Sequence, residues 1–167
     1  MPFGTEMQSL FATPDEATHD EIIEIIQRFG RSAVICKNAG FSGVEIHAAH
    51  GYLINQFLSP LHNLRTDEWG GTPEKRRKFL MDVYTEIRKQ VGADFPIAIK
   101  LNSADFQKGG FTEEDSLEVI KALAAAEIDL IEISGGTYES GVAKAPQKSS
   151  TIIREAFFID FAEKVRA

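Results

Sequence analysis

The sequence predicts an α/β fold in which parallel strands alternate with helices. Helical runs with capping residues alternate with short apolar runs flanked by glycine or proline, in the order α-β-α-β-α-β-α. Strands joined through helices pair in parallel with right-handed crossovers. Ile97 and Leu130 are 33 positions apart, about one eighth of a ~250-residue (β/α)₈ barrel. The 53 positions from Val44 to Ile97 fit the same unit with an insertion. These observations predict a partial (β/α)₈ TIM barrel.

The first helix is predicted to begin at a capping box, Thr13-Pro14-Asp15-Glu16, and to end at Gly40. The short run at residues 44–47 is too short for a helix and is interpreted as a buried strand. The later elements are, in order, a helix from Thr72-Pro73 to about Val91, a strand at 96–101, a helix capped by Thr112, a strand at 129–134 that ends in a Gly135-Gly136 turn, and a helix at 154–166.

Length and strand count together predict one incomplete barrel domain. Three strands cannot close a barrel that needs eight, so residues 1–167 are expected to form a single partial TIM-barrel domain, with residues 1–12 as a loop or extended N-terminus.

Charge and composition exclude several function classes. The chain has 18 basic and 25 acidic residues, a net charge of −7, which argues against nucleic acid or an anionic membrane as the main partner. The sequence has no targeting segment and no apolar stretch long enough to span a membrane, so we expect a cytoplasmic protein. The single cysteine, Cys36, excludes an internal disulfide and a cysteine-based zinc site.

The segment most indicative of function follows the first predicted strand. It runs for 25 positions from His47 to the helix cap at Thr72, whereas such connections usually have about 2–6 residues, and long loops at the carboxyl ends of barrel strands usually carry function. His47, His50 and Tyr52 place two imidazoles and a phenol at one strand end. Gly51 between them can adopt backbone angles closed to other residues.

The histidine pair alone has other interpretations. The two imidazoles could be core histidines with satisfied hydrogen bonds, or two metal ligands. A metal site is disfavoured, and no metal is predicted, because the further candidate ligands have no recognised spacing. Those candidates are Glu45, His62 and Asp67.

Several ordered motifs extend across the chain. They are GVEIHAAHGYL at 43–53, QFLSP at 56–60, Asn63, RTD at 65–67, WGG at 69–71, Arg76, KLNSADF at 100–106, GGF at 109–111 and EISGG at 132–136. Over roughly residues 13 to 140 the sequence strongly resembles the old yellow enzyme family of flavin-dependent ene-reductases and NADH:flavin oxidoreductases. The resemblance would make these strands the fourth, fifth and sixth of an FMN-holding barrel.

The resemblance also implies roles for individual residues. His47 and His50 would hydrogen-bond the carbonyl oxygen of a small-molecule α,β-unsaturated (enone) substrate, and Tyr52 would supply the α-proton. FMN, reduced by NADH or NADPH, would be contacted by His47 and by Lys100, where many members have arginine. Members of the family reduce the C=C bond of such substrates.

Other residues are expected to have structural roles. The long loop is predicted to be braced by Asn63, Arg65, Asp67 and Trp69. Near the barrel mouth we expect Asp105 and Glu132, and for these two a structural role is weighed at least equally with a functional one.

The parts of the barrel that would hold most of FMN have no counterpart in these residues. We therefore expect little activity from the isolated chain. An open sheet would expose two edges and apolar inner residues, which predicts self-association or pairing with a complementary barrel fragment. The alternatives are a noncatalytic remnant or interaction fragment, and a metal-dependent barrel hydrolase that uses His47, His50 and a carboxylate.

Overall fold

The computed structural model describes residues 15–138 and 157–166. Its centre is a parallel sheet of three strands in the order β1-β2-β3. The strands are β1 (Val44–Ala48), β2 (Ile97–Asn102) and β3 (Leu130–Ser134). The five helices of the described residues are α1 (His19–Asn38), α2 (Leu53–Leu58), α3 (Pro73–Val91), α4 (Glu113–Ala125) and α5 (Phe157–Arg166). The predicted α/β fold and the order of its strands are confirmed.

The start of α1 differs from the prediction. Residues 15–18 are not helical, and the capping box is formed by Thr18 and Glu21: the Glu21 N–H donates to the Thr18 hydroxyl and the Thr18 N–H to the Glu21 carboxylate. A box that begins at Thr13 is therefore wrong as the start of this helix. Thr13 itself lies outside the described residues, as do the predicted N-terminal loop at 1–12 and the predicted helix start at 154–156.

The other helix starts agree with the sequence prediction. Thr72 caps α3, with Pro73 as its first residue, and Thr112 forms a capping box with Asp115 at α4. In both cases the threonine oxygen accepts from an amide that has no partner within the helix. The short helix α2 was not predicted; it lies within the long connection between β1 and α3.

One face of the sheet forms the core. Ile97, Ile99 and Leu101 of β2 are fully buried, and Ile46 and Ala48 of β1 are their neighbours in register. The helices that cover this face, together with the long loop between β1 and α3, contribute the other large buried side chains. These include Ile22, Ile26, Ile54, Leu58, Trp69, Phe79, Leu80, Val83, Ile87, Leu123 and Phe161.

The opposite face of the sheet is polar, which corrects one prediction. Period-two alternation directs Glu45 and His47 of β1, Lys100 of β2, and Glu132 and Ser134 of β3 to this side. The expectation that apolar inner residues are exposed here holds for Leu130, which is 56% exposed, but Ile131 and Ile133 turn toward the helices and pack against the core instead. Among the helices of the described residues, none has both the length and the apolar character needed to cross a membrane.

Candidate active site

Three aromatic side chains meet at the carboxyl end of β1. The ring centroids of His47 and His50 are 5.2 Å apart with their planes nearly perpendicular, and those of His47 and Tyr52 are 4.9 Å apart. His47 is exposed, His50 is half-buried and Tyr52 is 43% exposed. The structure thus brings together the three predicted residues and leaves them accessible to a ligand.

A tight turn produces this arrangement. His50 and Gly51 both have a positive φ, of 64° and 81°. Left-handed angles are ordinary for glycine and uncommon for histidine. Two consecutive residues in this conformation reverse the chain between His47 and Tyr52, which allows both side chains to project on the same side. The glycine conformation was predicted, but the histidine conformation was not.

Both imidazoles are biased toward the neutral form. Burial lowers the pKa of His47 and of His50 below the ordinary histidine value, and the positive charge of Lys100 lowers both further. A neutral imidazole has one N–H donor and one acceptor nitrogen. At neutral pH each ring can therefore donate one hydrogen bond to a ligand or a neighbour.

The loop after β3 completes one side of the site. The Nε2 of His50 lies 2.6 Å from the Ser134 hydroxyl oxygen, and His50 forms an isolated bridge with Thr137. The ring of Tyr138, which is half exposed, packs edge-on against Tyr52 with centroids 5.3 Å apart. Ser134 and Tyr138 are site neighbours that the sequence alone did not single out.

Lys100 lies beside the aromatic site on the open face of the sheet. It is the register partner of His47 and of Glu132, and its ammonium is 3.1 Å from the Glu132 carboxylate and 3.7 Å from Glu45. The hydrogen bond with Glu132 is the main cause that raises the pKa of Lys100. Burial raises the pKa of Glu45, and its neighbour Glu132 raises it further.

The main cavity found beside the described elements lies away from this aromatic site. It has a volume of about 500 Å³ and lies beside the long loop, where its lining includes Ala17, Leu53, Phe57 and Arg65. His47, His50 and Tyr52 do not line it. In this chain the aromatic site is an open surface at the sheet edge.

Comparison with known proteins establishes the family. The sequence model of the NADH:flavin oxidoreductase / NADH oxidase family matches residues 3–165. The chain belongs to this family. Membership confirms the resemblance to old yellow enzymes. Similar proteins of this kind include an NADH-dependent flavin oxidoreductase of Aspergillus parasiticus, 41% identical over 99% of this chain, and an NADPH dehydrogenase of Bacillus subtilis, 39% identical over 93% of it.

Solved structures of similar proteins support the barrel interpretation. A 2-naphthoyl-CoA reductase in complex with 2-naphthoyl-CoA matches 87% of this chain with a TM-score of 0.76 and 39% identity. A morphinone reductase variant in complex with tetrahydroNAD matches 78% with a TM-score of 0.67 and 30% identity. The chain spans about two fifths of the length of the Aspergillus and Bacillus relatives, 38% and 43%, and 23% of the reductase chain.

The long loop of this family member is braced as predicted. The Asn63 amide donates to the backbone oxygens of Phe57 and Trp69, each at 2.7 Å. Arg65 donates to Asp67, whose carboxylate also accepts from the Trp69 N–H. Among the described residues, no group of three or more histidine, cysteine or acidic side chains could hold a metal ion.

Two buried amides were missed by sequence reasoning. Asn55 and Asn102 are fully buried and donate to the carboxylate of Asp105, which is also fully buried. The burial and hydrogen bonds of Asp105 fit the structural one of the two roles that were weighed for it. A signal for Asn102 was present, since it directly follows the predicted strand at 96–101 and precedes Asp105 in the KLNSADF motif.

Proposed function

We propose that this chain is the substrate-binding part of an FMN-dependent oxidoreductase that reduces the C=C bond of α,β-unsaturated carbonyl compounds with NADH or NADPH. The observation that carries the proposal is the convergence of His47, His50 and Tyr52 at the end of β1, with centroid distances of 5.2 and 4.9 Å. Flavin chemistry is further supported by the names of the relatives, which are NADH- and NADPH-dependent flavin oxidoreductases or dehydrogenases.

The two histidines would bind the carbonyl oxygen. Neutral imidazoles can each donate one N–H to an oxygen placed between the rings of His47 and His50, and such bonds strengthen as negative charge develops there. Loss of one donor in sites of this kind lowers the rate by about 10²–10³. The lowering of both histidine pKa values supports this role, because it favours the neutral form of each ring, which keeps one N–H donor.

Tyr52 would supply a proton to the substrate. Its ring packs on His47 and on Tyr138, which fixes the plane of the phenol while 43% of the residue stays exposed. A phenol held beside the bound carbonyl compound can act as a general acid.

The open face of the sheet fits the ring system of FMN. When bound, FMN would supply hydride to the β-carbon of the substrate. Lys100 lies directly beside His47 in the sheet and presents an ammonium on the same face, which suits a group near the N1 and O2 atoms of a flavin. Glu132 and Glu45 hold that ammonium in place. His47 would contact the same ring from the neighbouring strand.

Titration of FMN with the purified chain, followed by flavin fluorescence, tests the cofactor contact. Lys100→Met should weaken FMN binding about tenfold, the effect of one charge-assisted hydrogen bond. Lys108→Met removes the same charge from an exposed side chain and is the matched control. Equal affinities of the two variants would contradict the contact, and no quenching by the wild-type chain would count against cofactor binding.

Conversion of 2-cyclohexen-1-one to cyclohexanone, with FMN and NADH or NADPH, tests the reaction. His50→Ala should lower the rate by about 10²–10³ and Tyr52→Phe by at least about 10². His19→Ala changes an exposed histidine on α1 and should have no effect. If the wild-type chain binds FMN but forms no product, the noncatalytic alternative is favoured for these residues.

We also propose that the open sheet is completed by a second copy or by a complementary barrel segment, in a cytoplasmic setting. In the described part of the chain β1 and β3 are the sheet edges, and Leu130 on β3 is 56% exposed. Unpaired edges of this kind promote association. A stable monomer at all concentrations in size-exclusion chromatography would contradict this proposal.

A further inference from the structure

We propose that Asn55, Asn102 and Asp105 form a positioning unit that holds the His50-Gly51 turn and keeps the His50 ring in its ligand-facing place. This inference rests on the proposed function, since it assigns residues that position one of the two carbonyl donors. The three side chains are fully buried. They come from α2, from the end of β2 and from the loop that follows it.

The two amide oxygens of this unit bind the backbone of the turn. The Gly51 N–H donates to Asn55 Oδ1 at 2.7 Å, and the His50 N–H donates to Asn102 Oδ1 at 3.3 Å. Both residues of the turn have positive φ angles. A non-glycine residue keeps such a conformation only where its surroundings hold it. Here the Asn102 amide binds His50 itself, and the Asn55 amide binds Gly51 beside it.

The carboxylate of Asp105 determines which way the amides point. Asp105 Oδ1 accepts from the Nδ2 of Asn55 and from the Nδ2 of Asn102, both at 3.1 Å, and Oδ2 accepts from the Phe111 N–H at 3.2 Å. An ionised carboxylate only accepts hydrogen bonds. Both asparagines therefore turn their NH₂ groups toward Asp105, and their oxygens are left facing the turn.

The unit also connects the turn to the neighbouring strand. Asn102 and Ser134 are register partners on β2 and β3. Asn102 accepts from the backbone of His50, and Ser134 contacts the ring of the same residue. Asn102 also donates to the Gly136 oxygen at 2.9 Å, which holds the end of β3 against β2. One register pair thus fixes both the main chain and the imidazole of His50.

Asp105→Asn is the most informative variant. An amide at this position must place its NH₂ against the two asparagine donors or against the Phe111 N–H, so at least one of these contacts becomes donor to donor. We expect amide hydrogen exchange at His50 and Gly51 to become about tenfold faster relative to Ile99 in the core, the effect of about one hydrogen bond. We also expect the ¹⁵N signals of the His50 ring to show a changed tautomer population.

Asn55→Ala provides a second variant in case Asp105→Asn does not fold. It removes the oxygen that binds Gly51 but not the one that binds His50, so exchange should increase more at Gly51 than at His50. Tyr84→Phe is the matched control: Tyr84 is 3% exposed and donates to the Ala126 oxygen at 2.7 Å, away from the turn. It should lower overall stability without changing the exchange ratio or the His50 ring signals.

The outcomes separate this inference from the proposed function. Unchanged exchange ratios and unchanged His50 signals in both Asp105→Asn and Asn55→Ala would overturn the positioning role. These measurements need no flavin. If they change as expected while the wild-type chain neither binds FMN nor reduces 2-cyclohexen-1-one, the unit still positions His50 and the proposed function is what fails.

Discussion

The Nε2 of His50 lies 2.6 Å from the Oγ of Ser134, so a hydroxyl at the end of β3 occupies one nitrogen of the imidazole and leaves Nδ1 available to a ligand. A neutral ring carries its proton on one nitrogen only. If Ser134 donates to Nε2, the proton lies on Nδ1, and Nδ1 is the donor that His50 can offer to a carbonyl oxygen. The hydroxyl would then set the tautomer that the proposed function needs.

Replacing Ser134 by alanine should therefore shift the His50 tautomer. We expect Ser134→Ala to increase the Nε2–H form and to raise the pKa of His50 from its lowered value, because a bond donated to the neutral ring favours that ring over its protonated form. A pH series of ¹⁵N spectra of labelled histidine measures both quantities. Ser59→Ala is the control, since the buried Ser59 hydroxyl has no hydrogen-bond partner within the described residues. An unchanged tautomer in Ser134→Ala would contradict this role.

Asp129 links two strands in a way that makes stability depend on pH. Its carboxylate accepts from the Ile97 N–H at 2.8 Å and from Arg88 at 2.5 Å, and these bonds lower the pKa of Asp129 below its ordinary value of 3.8. A lowered carboxyl pKa gives a contribution to stability that is present above pH 3.8 and is lost as pH falls through the folded-state pKa.

Asp129→Asn should consequently lower the free energy of unfolding by about 1 kcal/mol at pH 7, a value reduced for the exposure of the side chain. The difference from the wild type should shrink as pH falls from 3.8 through the lowered folded-state pKa, where the carboxylate of the folded wild type becomes protonated. Urea unfolding at a series of pH values measures it. Asp94→Asn removes the same charge at an exposed position and should have little effect. A difference that stays constant down to pH 2 would contradict this account.

Most of the fold could be predicted because its signals are local. Thr72 and Thr112 precede helices with unambiguous caps, and the alternation in β2 fits a buried strand. The start of α1 could not be chosen, because Thr13 and Thr18 are each followed three positions later by glutamate. A local rule does not distinguish two boxes of equal spacing. The capping box that forms is the one at Thr18, and Ile22, in the first helical turn after it, is fully buried.

The helix α2 and the polarity of the open sheet face depend on tertiary structure. α2 has six residues and no side-chain cap, so isolated propensity does not predict it. Its helical form is accompanied by burial of Ile54, Phe57 and Leu58. The composition of the open face follows only when strand register is known, since Lys100 and Glu132 are 32 positions apart in sequence but adjacent in the sheet.

The candidate site also contains residues that local sequence predicts and residues that only the tertiary structure brings to it. His47, His50 and Tyr52 could be predicted together because they follow one strand within six positions. Their supporting residues come from other elements: Asn102 from β2 and Ser134 from β3. The positive φ of His50 is also a tertiary effect, because histidine has no strong preference for that conformation and neighbouring side chains stabilise it here.

Arg76 connects three segments around the long loop, and its planar head group is needed for this. It is 7% exposed and donates to the Leu58 oxygen at 3.0 Å and to the Gly71 oxygen at 3.1 Å, and its other NH₂ is 3.5 Å from Asp115. A lysine keeps the charge but cannot place donors in these three directions at once. Arg76→Lys should lower the free energy of unfolding by about 1–3 kcal/mol.

Thermal or urea unfolding measures the Arg76 effect, with Arg77→Lys as the control. Arg77 is the next residue of α3, and its positive charge acts on Glu74 and Glu118, an interaction that lysine preserves. An Arg76→Lys variant as stable as Arg77→Lys would show that charge alone, and not the geometry of the guanidinium, stabilises this junction.

At Gly70 the long loop lies close against its own backbone at Arg65. A Cβ atom there would lie 2.4 Å from the backbone oxygen of Arg65, a distance that forces the backbone to move. Arg65 cannot easily yield, because its side chain is bound to Asp67 and to the Ala17 oxygen. Gly70→Ala should therefore lower the free energy of unfolding by about 1–3 kcal/mol, the usual cost of inserting atoms into a packed site.

The only tryptophan of the chain reports on the same place. Trp69 precedes Gly70, is 1% exposed and donates from its ring N–H to Asp82 at 3.0 Å. In Gly70→Ala its fluorescence should shift to the red as the loop opens and water reaches the ring. Gly40→Ala adds the same methyl where no atom lies within 4 Å, so it should cost only backbone strain, about 1 kcal/mol, and leave the emission unchanged. A wild-type emission spectrum in Gly70→Ala would mean that the loop accommodates the methyl and that this contact does not hold it closed.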